Sequence, residues 1–400
     1  MTDFNKADKK LIKKINTISI LKIIREKGPI SRAHISKLIG LNPATVSSNV
    51  FDLLEGKIIK EVGSGESSGG RKPILLELNR GEIYVIGVDM GIKKVTTGLI
   101  DIDGNIVNKV TLYYPRENSQ ERVLRVIKDS IYQVVKGNDD DFNKVIGIGM
   151  GIHGIVDIEK GVSVYAPAFS WHNLDVVNDF KNEFNTPVII DNDVRTMALG
   201  EKWFGKAKDS KNFILLNIGN GIGAGIYLNG DLYRGNNFGA GEIGHVSISD
   251  RKIKCKCGEY GCFEAIASGT GIATRFIEKL NNGKESSIAN KMGTLDITAE
   301  KIYQEALEGD GLSIEILKET GKYIGTALSM LINILNPEMI LIAGGVSKAW
   351  EFIFEDIQEV IARKSINNNL KFLYIGETFL KEDAGIVGAA TLVIKDIFSI

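Results

Sequence analysis

The chain has 400 residues, 44% of them apolar and 25% charged, with a net charge of −1. That length exceeds one compact core and implies two or three domains of ordinary globular composition. No apolar run is long enough to span a bilayer, and the polar start MTDFNKADKKLIKK lacks a signal-peptide core, so a cytoplasmic protein with no membrane partner is expected.

The near-zero net charge hides an asymmetry. Residues 1–80 carry 15 Lys+Arg against 8 Asp+Glu, and the remaining residues 34 against 42, so a basic module precedes an acidic body. A basic module points to a polyanionic partner. In NTISILKIIREKG, Ile18, Leu21 and Ile24 recur at helical spacing, and Gly28-Pro29 stops the helix. In SRAHISKLIG, Ser31 is placed to cap a second helix, with Ile35, Leu38 and Ile39 as its apolar face and Gly40 as its end. LNPATVSSNVFDLLEGK reads as a third helix, with Asn42 as cap and Pro43 at the first helical position. Val46, Val50, Leu53 and Leu54 face inward, which leaves Thr45, Ser47, Ser48 and Asn49 outward, short polar side chains suited to a major groove. Two short helices around a Gly turn are the helix-turn-helix pattern, with Ser31 and Arg32 at the start of the first. KIIKEV and PILLEL follow as paired strands, and between them GSGESSGGRKP forms a wing tip whose Arg71 and Lys72 can reach phosphate. The expected partner of residues 1–80 is operator DNA.

The body begins with VIGVDMGIKKVTTGLIDIDGNIVNKVTLYY, three strands with a hairpin turn at Asp103-Gly104. FILLNIGNGIGAGIYLNGDLYRG repeats the plan with its turn at Asn229-Gly230, so Asp89-Met90-Gly91 and Asn217-Ile218-Gly219 hold equivalent places. Periodicity alone gives an α/β body in two lobes. Between the repeats, the apolar strand Val188–Ile190 runs into Asp191-Asn192-Asp193, and polar groups at the carboxyl end of such a strand are where open α/β sheets bind ligands. Asp193 can equally cap the helix that follows. All three cysteines, Cys255, Cys257 and Cys262, lie within eight residues of one another, after His245. An odd number of thiols in a reducing compartment argues against disulfides. One nitrogen and three sulfurs suffice to close a tetrahedral zinc site, although the single residue between Cys255 and Cys257 is shorter than the usual metal knuckle.

Over essentially its whole length the chain resembles the ROK family of repressors and sugar kinases, in particular the repressor branch of the xylose-repressor type. GRKPILLEL, VDMG, DNDVRTMALGE, GNGIGAGIYLNGDLYRG, GAGEIGH, CKCGEYGCFE and LIAGGVS carry the likeness. It implies a winged helix-turn-helix over 1–80 followed by a two-lobed actin-like ATPase or sugar-kinase (RNase H-like) fold. The first lobe would take 81–193 plus 381–400, and the second 194–380 with the zinc loop. It implies structural Zn2+ at His245, Cys255, Cys257 and Cys262. It also implies sugar contacts at Asn192, Asp193, Glu242, His245 and Glu264, with Gly154 as a weaker candidate. Asp193 matches the base of the family's kinases. Trp171 can stack on a sugar or anchor its loop, while His153 and His172 read as plain loop histidines.

The kinases of the family carry Asp-x-Gly-Gly-Thr-Lys in the first turn; here the run is Asp89-Met90-Gly91-Ile92-Lys93-Lys94. Ile92 puts a branched side chain where phosphate must approach, and Lys93 replaces the Thr hydroxyl. The second turn, Gly-Thr-Gly in the kinases, is Gly219-Asn220-Gly221. A sugar sensor that has lost its nucleotide half is therefore expected: a repressor, at least dimeric, as a dimer or a dimer of dimers, responding to a neutral monosaccharide, xylose before glucose. Asp193 is then a vestigial base. The alternatives are an active ATP-dependent sugar kinase with an accessory DNA-binding domain, and a DNA-bound protein answering to a phosphosugar or protein partner.

Overall fold

The computed structural model describes residues 2–65, 72–115, 119–136, 142–291, 293 and 296–398, with side chains described for all of these except 2–11 and 290. The helical spacing of Ile18, Leu21 and Ile24 becomes α1 (Thr2–Lys27), which buries all three. β1 (Ile30–Ser31) leads into α2 (Arg32–Ile39), capped by the Ser31 hydroxyl, which accepts from the His34 N–H, and closed by Gly40 at φ 67°. Leu38, expected inside, is 40% exposed, because an eight-residue helix buries only the one turn around Ile35. α3 (Pro43–Glu55) starts on Asn42, whose side chain accepts from the Ala44 N–H. β2 (Ile59–Ser64) and β3 (Ile74–Leu78) pair antiparallel, and β3 also pairs with β1. β1 is too short to be seen by alternation.

The first lobe opens with the meander β4 (Tyr84–Met90), β5 (Lys94–Asp101) and β6 (Ile106–Tyr113). α4 (Gln120–Lys136) leads to β7 (Val145–Ile152), parallel to β4. A small sheet of β8 (Ile155–Asp157), β9 (Val162–Ala166) and β10 (Trp171–Asp175) comes next. After α5 (Val176–Phe184), β11 (Val188–Asn192) adds parallel to β7, giving the order β11-β7-β4-β5-β6.

α6 (Asp193–Trp203) crosses to the second lobe, which repeats the plan. β12 (Phe213–Ile218), β13 (Ile222–Leu228) and β14 (Asp231–Tyr233) form the meander, with Asn229 and Gly230 both at positive φ in the expected tight turn. α7 (Phe263–Ala267), α8 (Gly269–Asn281), α9 (Ser287–Lys291), α10 (Ala299–Leu307) and α11 (Gly311–Leu335) cover this sheet. β15 (Met339–Ala343) adds parallel to β12; after α12 (Trp350–Lys364) and α13 (Asn367–Leu370), β16 (Tyr374–Glu377) adds parallel to β15. The order β14-β13-β12-β15-β16 matches the first sheet strand for strand. This doubled plan is the two-lobed actin-like fold that the family resemblance implies.

α14 (Ala384–Phe398) ends the chain by returning to the first lobe, against β4, β7 and α6. It crosses α6 at Gly200 and Gly388, so closely that a Cβ on Gly388 would stand 1.8 Å from the Thr196 carbonyl oxygen. The DNA-binding module is not loosely tethered. Ile20, Leu21 and Ile24 share one apolar cluster with Val85, Ile100, Val387, Ile394 and Phe398. Among the described residues, no helix is long and apolar enough to cross a membrane.

Candidate functional site

β11 ends in Asp191 and Asn192, and Asp193 follows as the first residue of α6. Asn192, not Asp193, caps α6: its side-chain oxygen accepts from the Val194 and Arg195 N–H groups at 3.0 and 3.1 Å. Its amide nitrogen donates to the Gly154 carbonyl at 3.0 Å and to Asp193 Oδ1 at 2.8 Å. All four hydrogen-bonding positions of the amide are thus engaged. Asp193 stands at the first helical position, where a carboxylate also gains from the helix dipole. Gly154, at φ 98°, presents its carbonyl to Asn192 because no side chain is tolerated there; a Cβ would lie 2.2 Å from the Tyr165 carbonyl oxygen.

His153, dismissed on sequence as a plain loop residue, stands at the centre of the site. Its Nδ1 lies 3.5 Å from Asp193 Oδ2. Burial opposes charge on its ring, but the Asp193 hydrogen bond and the carboxylates of Asp193, Glu242 and Glu264 hold its pKa above the ordinary histidine value. These three carboxylates come from both lobes. Burial, in turn, raises the pKa of Glu242. Glu264, in the first turn of α7, accepts from the Ile222 N–H at 3.0 Å, which pins α7 to the Gly219–Gly221 turn. The only sequence sign of His153 was its place in GIHG, at the end of an apolar strand that neighbours the Asp191-Asn192-Asp193 strand.

Asp191 was also missed. Buried, it accepts from Arg195 Nε at 2.7 Å and from the Arg234 guanidinium at 2.7 and 3.0 Å. Arg195 also donates to the Phe238 carbonyl at 2.8 Å. This network ties β11 of the first lobe to the segment that leads to Glu242 on the second. Trp171 is buried beside Phe169 and anchors its loop. His172 is exposed and lies against Tyr165.

Burial raises the pKa of Asp89, at the carboxyl end of β4, to about 7, helped by the charge of Asp193. Ile92 and Asn220 occupy the two turns that follow β4 and β12.

The cysteine loop closes on itself. The ligand atoms of His245, Cys255, Cys257 and Cys262 lie within 4.8 Å of one another. Cys257 Sγ and Cys262 Sγ are 3.7 Å apart, and Cys255 Sγ is 3.6 Å from His245 Nδ1. Tetrahedral zinc ligands at about 2.0–2.3 Å from the ion stand about 3.3–3.8 Å apart, so the donor set and its spacing fit the ion. The other ring nitrogen, His245 Nε2, faces Glu242 at 3.9 Å.

In the DNA-binding module, Ser47 and Ser48 are exposed, Thr45 is half-buried, and Arg32 pairs with Glu61 at 2.8 Å. Asn49 is not a base reader. It is buried, accepting from the Thr17 hydroxyl at 2.6 Å and donating to the Thr45 carbonyl at 2.8 Å. The reason is register: Asn49 falls three residues after Val46, on the same helix face, and meets α1. Lys72 is exposed, and Arg71 lies outside the described residues.

The ROK family model matches residues 85–396, more than half of the chain. The chain belongs to the ROK family. A winged helix-turn-helix DNA-binding model matches residues 14–60 in addition. The xylose repressor of Caldicellulosiruptor bescii is 34% identical over 389 residues, covering 97% of this chain and 98% of the relative. The crystal structure of a ROK transcriptional regulator, a homologue of the Escherichia coli Mlc protein, superposes with a TM-score of 0.84 at 30% identity, over 97% and 96% of the two chains. A ROK glucokinase from Streptomyces griseus, in complex with glucose and AMPPNP, superposes with a TM-score of 0.69 at 26% identity, over 77% of this chain and 98% of the kinase. The two full-length relatives are a xylose repressor and a transcriptional regulator, and this ROK protein, with its winged helix-turn-helix, is a DNA-binding regulator of that branch rather than an enzyme.

Proposed function

We propose that this ROK repressor binds operator DNA through Ser31, Arg32, Asn42, Thr45, Ser47, Ser48, Arg71 and Lys72, and releases it when a neutral monosaccharide enters the interlobe cleft. Xylose is favoured and glucose is next. The carrying observation is the convergence of Asp193 from the first lobe and Glu242 and Glu264 from the second on His153. Carboxylates and an imidazole at fixed positions suit a ring of sugar hydroxyls, and their negative charge disfavours an anionic ligand. Asn192 and Gly154 hold Asp193 in place. The metal would be Zn2+, held by Nδ1 of His245 with Cys255, Cys257 and Cys262. Four protein ligands leave no open coordination position, so its work is structural: it fixes Glu242, His245 and Glu264 relative to one another.

A ligand touching both lobes favours one lobe angle. In a dimer, with 1–80 as the DNA-binding domain, 81–193 plus 381–400 as the first lobe and 194–380 as the second, that angle sets the separation of two DNA-reading heads. Heads must match half-sites about 34 Å apart or a multiple of it, so a small shift is enough to weaken binding. Differential affinity of this kind changes DNA affinity by roughly 5–150-fold. The test is fluorescence anisotropy on operator DNA at fixed salt, with and without saturating xylose, glucose or other sugars of a panel. Weaker operator binding with one of them is expected; the same affinity with every sugar removes the proposal.

A further inference from the structure

The same helix that opens on the sugar site ends on the DNA-binding module. At its amino end, α6 begins with Asp193 on the Asn192 cap. At its carboxyl end stand Trp203 and Phe204. The helix from Asp193 to Trp203 is eleven residues long, about 16 Å of rigid rod. The Trp203 and Phe204 rings, with Phe398 from the end of α14, surround a single cation, Arg25 of α1. The guanidinium carbon lies 5.2, 5.7 and 5.0 Å from the three ring centroids. Phe204 is braced from behind by the Asp103-Gly104 turn, where a Cβ on Gly104 would stand 2.6 Å from its ring. Because α6 and α14 touch backbone to backbone at Gly200 and Gly388, the two helices that build this box move as one body.

We infer that Arg25 is the positioning residue that couples the sugar site to the DNA-reading heads, with α6 and α14 as the strut between them. The guanidinium suits this role in a way an ammonium does not. It is planar and weakly hydrated, and it stacks on aromatic faces, so three rings fix its orientation as well as its place. In the turn that ends at Arg25, Leu21 and Ile24 are buried in the apolar cluster shared with Phe398, so a displacement of the box reaches α1 directly. α1 in turn carries Thr17, which donates to Asn49 of α3, the helix of the groove-facing serines. The path from Asp193 to Ser48 is then a chain of packed elements with no loop in it.

This inference rests on the repressor reading above, and its test separates the two. The full-length protein and the variants Arg25→Gln and Arg25→Lys are compared in three measurements: sugar affinity by calorimetry, operator affinity by anisotropy, and amide hydrogen exchange across residues 12–55. In the parent, sugar should change both operator affinity and exchange in α1. In Arg25→Gln, sugar affinity should stay within about twofold of the parent while the sugar-dependent change in operator affinity falls below about threefold, out of the roughly 5–150-fold range of such couplings. Arg25→Lys should recover part of the response, since it keeps the charge and loses the planar stack. If Arg25→Gln binds and responds to sugar like the parent, or if sugar binds the parent without altering exchange in α1, the coupling is wrong and the repressor reading stands. If no sugar of the panel binds the parent, the sensor reading fails and the coupling falls with it.

Discussion

His153 Nδ1 lies 3.5 Å from Asp193 Oδ2, so the carboxylate expected to be a vestigial base is held here by an imidazole. The pair has a pH signature. His153 loses some affinity for its proton by burial and more than regains it from Asp193, Glu242 and Glu264 together, leaving its pKa above the ordinary 6.5. A raised pKa means that the folded state holds the proton more tightly than the unfolded one. The stabilisation is therefore complete below about pH 6.5 and is lost as pH rises through the folded value. His153→Gln should lower the unfolding midpoint more at pH 5.5 than at pH 8.5, as thermal melts of both proteins across that range will show. A constant difference would mean that the pair is not charged. The same variant should weaken sugar binding by roughly 10–150-fold, in line with the loss of a hydrogen bond to a charged group.

Asp89 shifts stability with pH in the same direction, over a lower pH window. Burial and the neighbouring charge of Asp193 push its carboxyl up to about 7. Stability is again greatest below the unfolded value of 3.8 and is lost as pH rises toward 7, because the charge must then be carried in a dry site. Asp89→Asn keeps the shape and removes the charge. It should raise the melting midpoint at pH 8 and leave it nearly unchanged at about pH 3, below the unfolded value, measured in the same buffers as the parent.

The metal site yields a quantitative expectation of its own. Ligand spacings of 3.6 and 3.7 Å match a tetrahedral zinc ion, so elemental analysis of protein purified without chelator should find one zinc per chain. Cys257→Ser should lose the metal and weaken sugar binding together, because the loop sets the positions of Glu242 and Glu264. Full sugar affinity in metal-free protein would show that the loop holds its shape unaided.

Asn49 and Ser48 are adjacent in sequence and opposite in role. Asn49→Ala removes the partner of Thr17 inside the module and should cost about 1–3 kcal/mol of its stability. Ser48→Ala removes an exposed hydroxyl and should leave stability within about 0.5 kcal/mol while weakening operator binding. Melting curves and anisotropy on both variants separate the two. Ordinary stability in Asn49→Ala with lost DNA binding would return Asn49 to the groove.

Much of this architecture was legible in the chain because its signals are local. The helix-turn-helix caps Ser31 and Asn42, the Asn229-Gly230 turn and the doubled hairpins each declare themselves within a few residues. Asn49 was misplaced because a polar residue on a helix can satisfy itself against a neighbouring helix, and that neighbour, Thr17, lies 32 residues away. The Asp191–Arg195 pair has the i,i+4 spacing of a helical ion pair, but Arg234 joins from 43 residues away with nothing in the sequence to announce it. Arg25 and its rings are assembled from three elements spread over nearly the whole chain, so no window of sequence contains them.

ATP turnover is the remaining discriminating measurement. Phosphoryl transfer needs backbone N–H groups close to the phosphates, a base free to take the proton of the sugar hydroxyl, and little else from the protein. Ile92 stands in the first phosphate turn in place of the second glycine, and Lys93 in place of the hydroxyl. Asn220 stands in the second turn, and Asp193 is held by His153 and Asn192. Each lost donor costs on the order of a hundredfold in rate, and the losses fall on both sides of the transferred group. A coupled assay with xylose and glucose should therefore give turnover far below the ordinary enzymatic rate of about ten per second. The double variant Ile92→Gly, Lys93→Thr restores only the first turn and should remain slow, with His153 still on the base. Ordinary turnover in the parent would identify an active sugar kinase with an accessory DNA-binding module, whose response to sugar would then follow from catalysis rather than from binding alone.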